Sequence, residues 1–375
     1  MQNPTLSALL DKQLEPFLAT HRIPRYQYKA LNSYRACRTP RLGSHSQYCQ
    51  NGHLMGVWYD SCKRRGCPQC LALTSERWLQ QQRNNLLDES HHHWVFTLPH
   101  DLLPVWRFNR ILLQDILFRS VSETLKIMAK DKRYLAARPA YLLSLHTWGR
   151  NLGLHPHIHC LIASGGQDKL GKWKKPKKSI LFPAKVMMQL FRGKVISALN
   201  QATKESLLKL PADCRPSQFT LLLNKLRQTD WVVHCCKPYH HGNGVMTYLA
   251  KYVKKGAFNN RQLHHFDDHF VSYGYQSHQT GKREKQRLPI KEFILRLCDH
   301  IPQKGKPSLR YYGLYHPCCR TALNDCRLQL GQKKIDEDNQ IITWQTFMVG
   351  LDILPLCKIC TKPIEGLVPR IQEKN

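Results

Sequence analysis

Acidic residues are scarce in this sequence. Its 375 residues include 26 Asp and Glu against 57 Lys and Arg, which gives a formal net charge of +31 at pH 7. A charge excess of this size indicates a polyanionic partner, and nucleic acid is the most common one. A membrane-surface role would need a long basic amphipathic helix, which the sequence pattern does not contain. The composition therefore favours a protein that binds nucleic acid.

Long apolar runs are also missing. No apolar stretch approaches the roughly 20 residues that a membrane span requires, so we expect no membrane partner. Residues 1–4 lack the charged and then apolar regions of a secretory signal, which predicts a cytoplasmic location. The 15 cysteines are then expected in a reducing compartment, as thiols or metal ligands rather than disulfides.

A complete nucleotide-binding loop is absent as well. Gly166 and Gly171 match part of a P-loop, but Trp173 stands where a Ser or Thr would bind magnesium, so no nucleotide is expected. Six lysines instead surround Trp173 between residues 169 and 178. This segment is either a solvated loop or a DNA contact in which Trp173 stacks on a base. The residues predicted to contact DNA are Lys172, Trp173, Lys174 and Lys175.

A block of potential zinc ligands follows the N-terminal segment. Its members are Cys37, His45, Cys49, His53, Cys62, Cys67 and Cys70. The pair Cys67 and Cys70 follows Cys49 and His53 at a spacing typical of a structural zinc site, which we predict for these four residues. A redox role is disfavoured because no βαβ pattern surrounds the pair. Cys62, Cys37 and His45 are either a second site or ordinary buried residues.

Three consecutive basic residues, Lys63, Arg64 and Arg65, lie inside this block. Their position predicts contacts with DNA phosphates.

Two histidines stand on a short apolar segment that ends at Gly165. Side chains two apart on a strand project from the same face, so His157 and His159 are predicted to lie side by side. Two imidazoles held in this way form part of a metal site. The alternative is a pair of histidines on a solvated strand face.

A predicted helix ending at Gly256 carries two tyrosines one turn apart. Tyr248 and Tyr252 share one face, and Lys251 and Lys255 repeat the same spacing. An amphipathic helix with its tyrosines in the core would show the same pattern.

The remaining pattern predicts an antiparallel sheet with helices packed on one face. Helices are expected over much of residues 5–36, 78–87, 107–130, 184–230 and 293–298. Strands are expected at 94–98, 141–148, 231–235, 270–275 and 287–288. The strand 141–148 should pair with the histidine strand in a hairpin through Gly149 to Gly153.

These motifs together resemble the HUH endonuclease superfamily, which is named for a His-hydrophobic-His strand and carries a tyrosine-bearing helix. With the cysteine block in front, the sequence looks like a two-tyrosine, rolling-circle insertion-sequence transposase. The resemblance covers residues 37 to 360 and depends on four motifs in order. It implies an α+β fold with an HUH endonuclease-like antiparallel sheet, preceded by a small zinc-binding domain.

The domain organisation that we predict has four parts. A helical arm over 1–36 precedes a zinc-binding domain over 37–75 and a catalytic domain with the tyrosine helix over 76–275. A C-terminal region over 276–375 carries a possible second zinc site, which would combine Cys357 and Cys360 with Cys318, Cys319 or Cys326. Many relatives have CxxCGH where this chain has Gly52 in place of the second cysteine, so we assign that ligand role to His53.

The resemblance also implies a chemistry. Magnesium or manganese on His157 and His159 would polarise the scissile phosphate of single-stranded DNA, although imidazole suits zinc as well. A third protein ligand is needed, and the sequence does not identify it. Tyr248 or Tyr252 would attack to give a 5′-phosphotyrosine and a free 3′-OH, with Lys251 and Lys255 assisting deprotonation or binding phosphate.

Two other functions fit parts of the pattern. An HUH replication initiator or relaxase would use the same chemistry, and a zinc-finger regulator without catalysis would keep its tyrosines in the core. The zinc block and the lack of a helicase motif favour the transposase.

Overall fold

The computed structural model describes residues 4–176, 181–236, 256–277, 280–335 and 341–369. In chain order the helices are α1 Leu6–Thr20, α2 Arg25–Ala36, α3 Ala72–Asn85, α4 Leu103–Phe108, α5 Arg110–Lys130, α6 Ala184–Lys204, α7 Pro216–Gln228, α8 Ile290–His300, α9 Arg320–Gln329 and α10 Trp344–Val349. The strands are β1 Ser44–Cys49, β2 Leu54–Tyr59, β3 His91–Thr97, β4 Arg138–Trp148, β5 Leu154–Gln167, β6 Trp173–Lys174, β7 Val233–Cys235, β8 Leu263–Phe266, β9 Phe270–Gln276, β10 Arg283–Pro289, β11 Leu309–Gly313 and β12 Ile364–Pro369.

A six-stranded sheet forms the centre of the molecule. Its order is β11-β4-β5-β3-β7, with β6 paired to β5, and its pairings are antiparallel. One face packs on α5 and α6, where side chains such as Phe96, Ile158 and Phe191 are fully buried. The predicted α+β fold with an antiparallel sheet is therefore confirmed. The helices were predicted on one face, but the other face also packs on helices, because Leu142 and Leu161 cluster with Leu79 of α3 and Leu323 of α9.

The hairpin of β4 and β5 forms as predicted, but with an irregular register. Gly149 donates its N–H to the Gly153 carbonyl, and Trp148 pairs with Leu154. The register then shifts, so that His146 rather than Leu145 pairs with His157. Such a bulge moves the following side chains of one strand to the other face relative to a regular ladder.

The N-terminal helices form a second core with the three-stranded sheet β10-β9-β8 and helix α8. Their buried side chains, including Leu10 and Phe17, pack with Tyr273 and Phe293. The helical segment predicted over 5–36 forms two helices, with Pro24 capping the start of α2. The helix predicted over 107–130 is instead two helices. Asn109 separates them, and its side-chain amide donates to the carbonyls of Val105 and Lys209.

The C-terminal region adds one strand to each of two sheets formed by earlier parts of the chain. Strand β11 extends the central sheet beside β4, and β12 pairs with β1 in a sheet of order β12-β1-β2. Residues 37–75 therefore supply only two of the three strands of this sheet, because the third strand, β12, comes from the C-terminal region. No helix in the described ranges is long and apolar enough to cross a membrane.

Candidate active site and metal centres

Three histidines converge on the face of the central sheet opposite α5 and α6. His146 of β4 lies directly across from His157 of β5, and His159 follows on the same face. One ring nitrogen from each lies within 4.8 Å of those of the other two. The Nε2 atoms of His157 and His159 are 2.9 Å apart. This spacing suits ligands around a single ion, and His146 lies where a third ligand, which the sequence did not identify, would be needed.

The surroundings keep the imidazoles of His157 and His159 neutral. Burial lowers the pKa of His157 to about 4 and places the pKa of His159 well below its usual range. The Nδ1 of His157 lies 2.6 Å from the His155 carbonyl and therefore donates to it. The Nε2 of a neutral His157 is then unprotonated and able to bind a metal.

A fourth histidine orients the third ring. His93 of β3 places its Nε2 2.9 Å from the Nδ1 of His159, which leaves the Nε2 of His159 directed at His157. Ligating histidines commonly use the second nitrogen in this way. Three consecutive histidines, His91 to His93, begin β3. All three are buried, and the Nδ1 of His91 donates to the Glu89 carbonyl, which leaves its Nε2 to accept from the Tyr315 hydroxyl.

A cavity of about 270 Å³ borders the histidines. His146 and Trp148, whose rings stack with centroids 4.7 Å apart, line it together with Trp106. The Trp106 indole N–H has no hydrogen-bond partner among the described residues. Basic side chains, including Arg110 and Lys306, also line the cavity. Aromatic walls with cationic groups suit a nucleotide.

The tyrosine helix itself lies outside the described residues, which resume at Gly256. The predicted roles of Tyr248, Lys251, Tyr252 and Lys255 therefore stay predictions. Gly256, the first residue after them, lines the same cavity as His146. It also contacts the cysteine block, because a Cβ at this position would lie 2.6 Å from the Gly66 carbonyl oxygen.

One group of four cysteines lies at the end of α2. Cys37, Cys62, Cys67 and Cys70 bring their sulfurs within 4.8 Å of one another. The Sγ atoms of Cys62 and Cys70 are 3.7 Å apart. A tetrahedral zinc with Zn–S bonds of about 2.3 Å requires S–S separations of about 3.8 Å. Cys37 and Cys67 are also buried in the core of α1 and α2, so this group joins the cysteine block to the N-terminal helices.

A second group of four ligands joins the two ends of the chain. The Sγ of Cys49 lies 3.4 Å from the Nδ1 of His53 and 3.6 Å from the Sγ of Cys360. Cys357 completes the group, 3.7 Å from the same His53 nitrogen. Burial opposes ionisation of Cys357, but the N–H groups of Cys360 and Ile359 donate to its sulfur and lower its pKa to about 6.

The predicted zinc ligands were therefore grouped wrongly. Cys49 and His53 do not join Cys67 and Cys70, because each pair belongs to a different cluster. His45 lies in neither, and its Nδ1 is 2.9 Å from the Asp60 carboxylate. The C-terminal pair is not completed by Cys318, Cys319 or Cys326, because Cys49 and His53 complete it.

The basic side chains predicted to contact DNA differ in whether they are exposed or already bonded to other parts of the protein. Lys63 and Lys172 are exposed. Arg65 donates to the carbonyls of Gln303 and Lys306, and Arg64 donates to the Ser33 hydroxyl. These two guanidinium groups therefore already hold the cysteine block against its neighbours.

The base-stacking role predicted for Trp173 does not fit its position. Its ring is half-buried and covers Gly165 so closely that a Cβ there would lie 2.4 Å from it. It packs with the apolar cluster around Leu79 and Leu161. Of its neighbours, Lys174 is half-buried, and Lys175 lies 3.4 Å from the Glu89 carboxylate.

Comparison with known proteins agrees with this arrangement. A family described as "Putative transposase" matches residues 141–322, and one described as "Transposase zinc-binding domain" matches residues 9–98. The chain is 32% identical over 337 residues to "Putative transposase y4qJ" of Sinorhizobium fredii (strain NBRC 101917 / NGR234), covering 88% of this chain and 84% of that protein.

A second relative is the "Transposase for insertion sequence element IS801" of Pseudomonas savastanoi pv. phaseolicola. It is 31% identical over 285 residues, which cover 74% of this chain and 67% of the relative. No solved structure matches the chain. The chain therefore belongs to the insertion-sequence transposases with an N-terminal zinc-binding domain, and as a transposase it is an enzyme that cuts DNA and transfers its strands.

Proposed function

We propose that this transposase nicks single-stranded DNA at the ends of its element through a tyrosine nucleophile, and that His146, His157 and His159 hold the divalent ion that the cut requires. The convergence of these three imidazoles, with His146 lining the adjacent cavity, carries the proposal. A bound ion would supply Lewis-acid polarisation of a non-bridging phosphate oxygen. We expect this activity in the bacterial cytoplasm, at the nucleoid, where the cysteines would stay reduced.

The donor set bears on the choice of ion. Magnesium prefers hard oxygen ligands, whereas imidazole binds transition metals such as manganese more tightly. Since the three side chains are all imidazoles, manganese fits the protein's ligands better than magnesium does. We expect both ions to support cutting, with manganese active at the lower concentration.

The covalent step would belong to Tyr248 or Tyr252. The tyrosine oxygen forms a bond to phosphorus, the bond from phosphorus to the 3′ oxygen breaks, and that oxygen leaves as a hydroxyl after taking up a proton. The resulting 5′-phosphotyrosine keeps the energy of the phosphodiester for rejoining without ATP. Support for this assignment comes from Gly256, which follows the tyrosine segment and lines the cavity beside His146.

Two tyrosines one helical turn apart suit a reaction with two cuts. One hydroxyl would cut the element's end and hold the 5′ phosphate, and the other would cut the target or the other end. The freed 3′-OH groups would then resolve the two links in a rolling-circle-type transfer. Lys251 and Lys255 would lower the cost of deprotonating a tyrosine, whose ordinary pKa is about 10.

The test is covalent capture of an oligonucleotide. A single-stranded DNA carrying the element's terminal sequence is incubated with the enzyme and Mn²⁺, and the adduct is resolved on a denaturing gel. Tyr248→Phe and Tyr252→Phe should each retain some adduct yet block complete transposition in cells, whereas the double variant should form none. An adduct in the double variant would place the nucleophile elsewhere.

A further inference from the structure

A third group of metal ligands lies on a short turn far from the two zinc clusters in sequence. A 3₁₀ turn, Pro317–Cys319, connects β11 to α9, and His316 caps its start. The ring nitrogen of His316 and the sulfurs of Cys318 and Cys319 all lie within 4.8 Å of one another. His316 and Cys318 are exposed, whereas Cys319 is buried.

Backbone hydrogen bonds of the turn hold the imidazole and the two thiols close together without an ion. The Cys319 N–H donates to the His316 carbonyl at 2.8 Å, which closes the turn. The Nδ1 of His316 accepts from the Cys318 N–H at 3.3 Å and lies 2.9 Å from the Cys318 sulfur. The two sulfurs are 3.4 Å apart, well beyond the roughly 2.05 Å of a disulfide. Both cysteines are therefore thiols, with the imidazole beside them.

The turn is fixed against the central sheet. Leu314 donates its N–H to the Pro139 carbonyl, and Gly313, at φ +60, lies so close to that carbonyl that no Cβ would fit. Arg138, at the start of β4, donates to the Cys319 sulfur at 2.7 Å. Burial and the neighbouring Cys318 raise the pKa of the Cys319 thiol, and the guanidinium acts against that rise. A thiolate formed on metal binding can accept this hydrogen bond and still bind the metal.

We propose that His316, Cys318 and Cys319 form a third, exchangeable zinc site with three protein ligands and one open position. Two sulfurs and one imidazole are a donor set that selects zinc over the hard ion of a phosphoryl-transfer site. Four-ligand sites are closed, whereas sites with three protein ligands leave room for water or an incoming group. This site should therefore bind zinc more weakly, by about tenfold or more, than the two clusters of four.

Binding would release the thiol protons of Cys318 and Cys319. The Nδ1 of His316 would give up the hydrogen bond from the Cys318 N–H and donate that lone pair to the ion. The two thiolates offset the charge of Zn²⁺. The Arg138 guanidinium offsets part of the negative charge of the thiolates. The proposal does not depend on the tyrosine chemistry, because none of these residues lines the cavity beside His146.

The test counts zinc in the full-length chain purified under reducing conditions, with His157→Ala in every protein because zinc would otherwise also occupy the three-histidine site. After saturation with Zn²⁺ and removal of free metal, elemental analysis should give three equivalents, and a mild chelator should remove one of them first. Cys318→Ser and His316→Ala should each bind one equivalent fewer. Cys214→Ser, at a half-buried cysteine outside the three groups, should bind as many as the unchanged chain.

Cobalt gives a second readout that does not depend on folding of the clusters. Added to protein whose tight sites hold zinc, Co²⁺ should produce a thiolate charge-transfer band in the unchanged chain and in Cys214→Ser, but not in Cys318→Ser. Two zinc equivalents in the unchanged chain, or three in Cys318→Ser, would overturn the proposal. So would a Cys318–Cys319 disulfide that forms in the presence of reductant without metal.

Discussion

The cysteine clusters and the histidine site hold metal ligands in two different ways. Each cluster brings four ligands together, in one case from positions 311 residues apart, as with Cys49 and Cys360. The histidine site takes three ligands from one hairpin and borders a cavity. Four protein ligands close a site and stabilise the fold, whereas three leave a position for a substrate. We therefore expect structural ions in the two clusters and a catalytic ion at the histidines.

The two kinds of site meet at the cavity. Arg65, Gly66 and Pro68, next to the first cysteine cluster, line one wall, and His146 and Trp148 line another. The zinc-binding region therefore shapes the space beside the catalytic histidines. Loss of zinc should reduce activity through the position of this wall, even though zinc takes no part in the chemistry.

The largest expected effect separates catalysis from stability. His157→Ala and His159→Ala should lower the rate of nicking at least about 100-fold, because they remove ligands of the activating ion. Binding of the same DNA should change little, since it depends on many dispersed basic residues. Nicking is followed on a labelled oligonucleotide with Mn²⁺, and the melting temperature is measured alongside. His269→Ala, at an exposed turn, is the control, and near-normal nicking by either variant would remove the pair from the mechanism.

The next effect tests how the cysteines are grouped. Cys49→Ser and Cys357→Ser should each lose one zinc equivalent, and the double variant should lose the same one. Combining Cys49→Ser with Cys67→Ser should lose two, with a drop in stability of several kcal/mol because Cys67 also lies in the N-terminal core. Elemental analysis with thermal unfolding provides both quantities. Loss of two equivalents from Cys49→Ser with Cys357→Ser would contradict the grouping.

A smaller effect concerns the orientation of a ligand. His93→Phe removes the group that faces the Nδ1 of His159 and should lower the nicking rate about 10- to 100-fold. His93→Gln, which can still offer a polar atom, should restore part of the rate. The Mn²⁺ concentration for half-maximal activity should rise in the Phe variant. Equal rates for Phe and Gln would assign His93 to packing alone.

The smallest effect is on stability at acid pH. Burial lowers the pKa of His91 to about 4, below the ordinary 6.5, so the folded state binds fewer protons than the unfolded state. The stabilisation is therefore complete above about pH 6.5 and is lost as the pH falls towards 4. Between pH 7 and 5 the unchanged chain should lose about 1–2 kcal/mol more than His91→Gln, measured by urea unfolding. Equal losses would show that His91 is not buried as a neutral group.

Local patterns predicted most of the central sheet and two of the three histidines of its metal site. Alternation placed His157 and His159 on one face, and the glycines predicted the hairpin. A regular ladder extended from Trp148 and Leu154 would pair Leu145 with His157 and turn His146 to the other face. The bulge shifts the pairing by one residue, and bulges leave no sequence signal of comparable strength.

The grouping of the cysteines could not be predicted for a different reason. Spacing indicates that a CxxC pair will share an ion, but it does not say which other pair completes the site. Here Cys357 and Cys360, near the C-terminus, complete the site of Cys49 and His53. The pairing of β12 with β1 brings these two cysteines next to Cys49. Such long-range closure depends on strand pairing across the whole chain. The exclusion of His45 likewise depends on a local partner, Asp60.

The most direct test of the account is His146→Ala in the covalent-capture assay with Mn²⁺. The structure alone identifies this residue, opposite His157 and stacked on Trp148. The account predicts no detectable phosphotyrosine adduct, with zinc content and DNA binding unchanged. His146→Gln should recover a small part of the adduct at high Mn²⁺. Normal adduct formation by His146→Ala would contradict the three-histidine site.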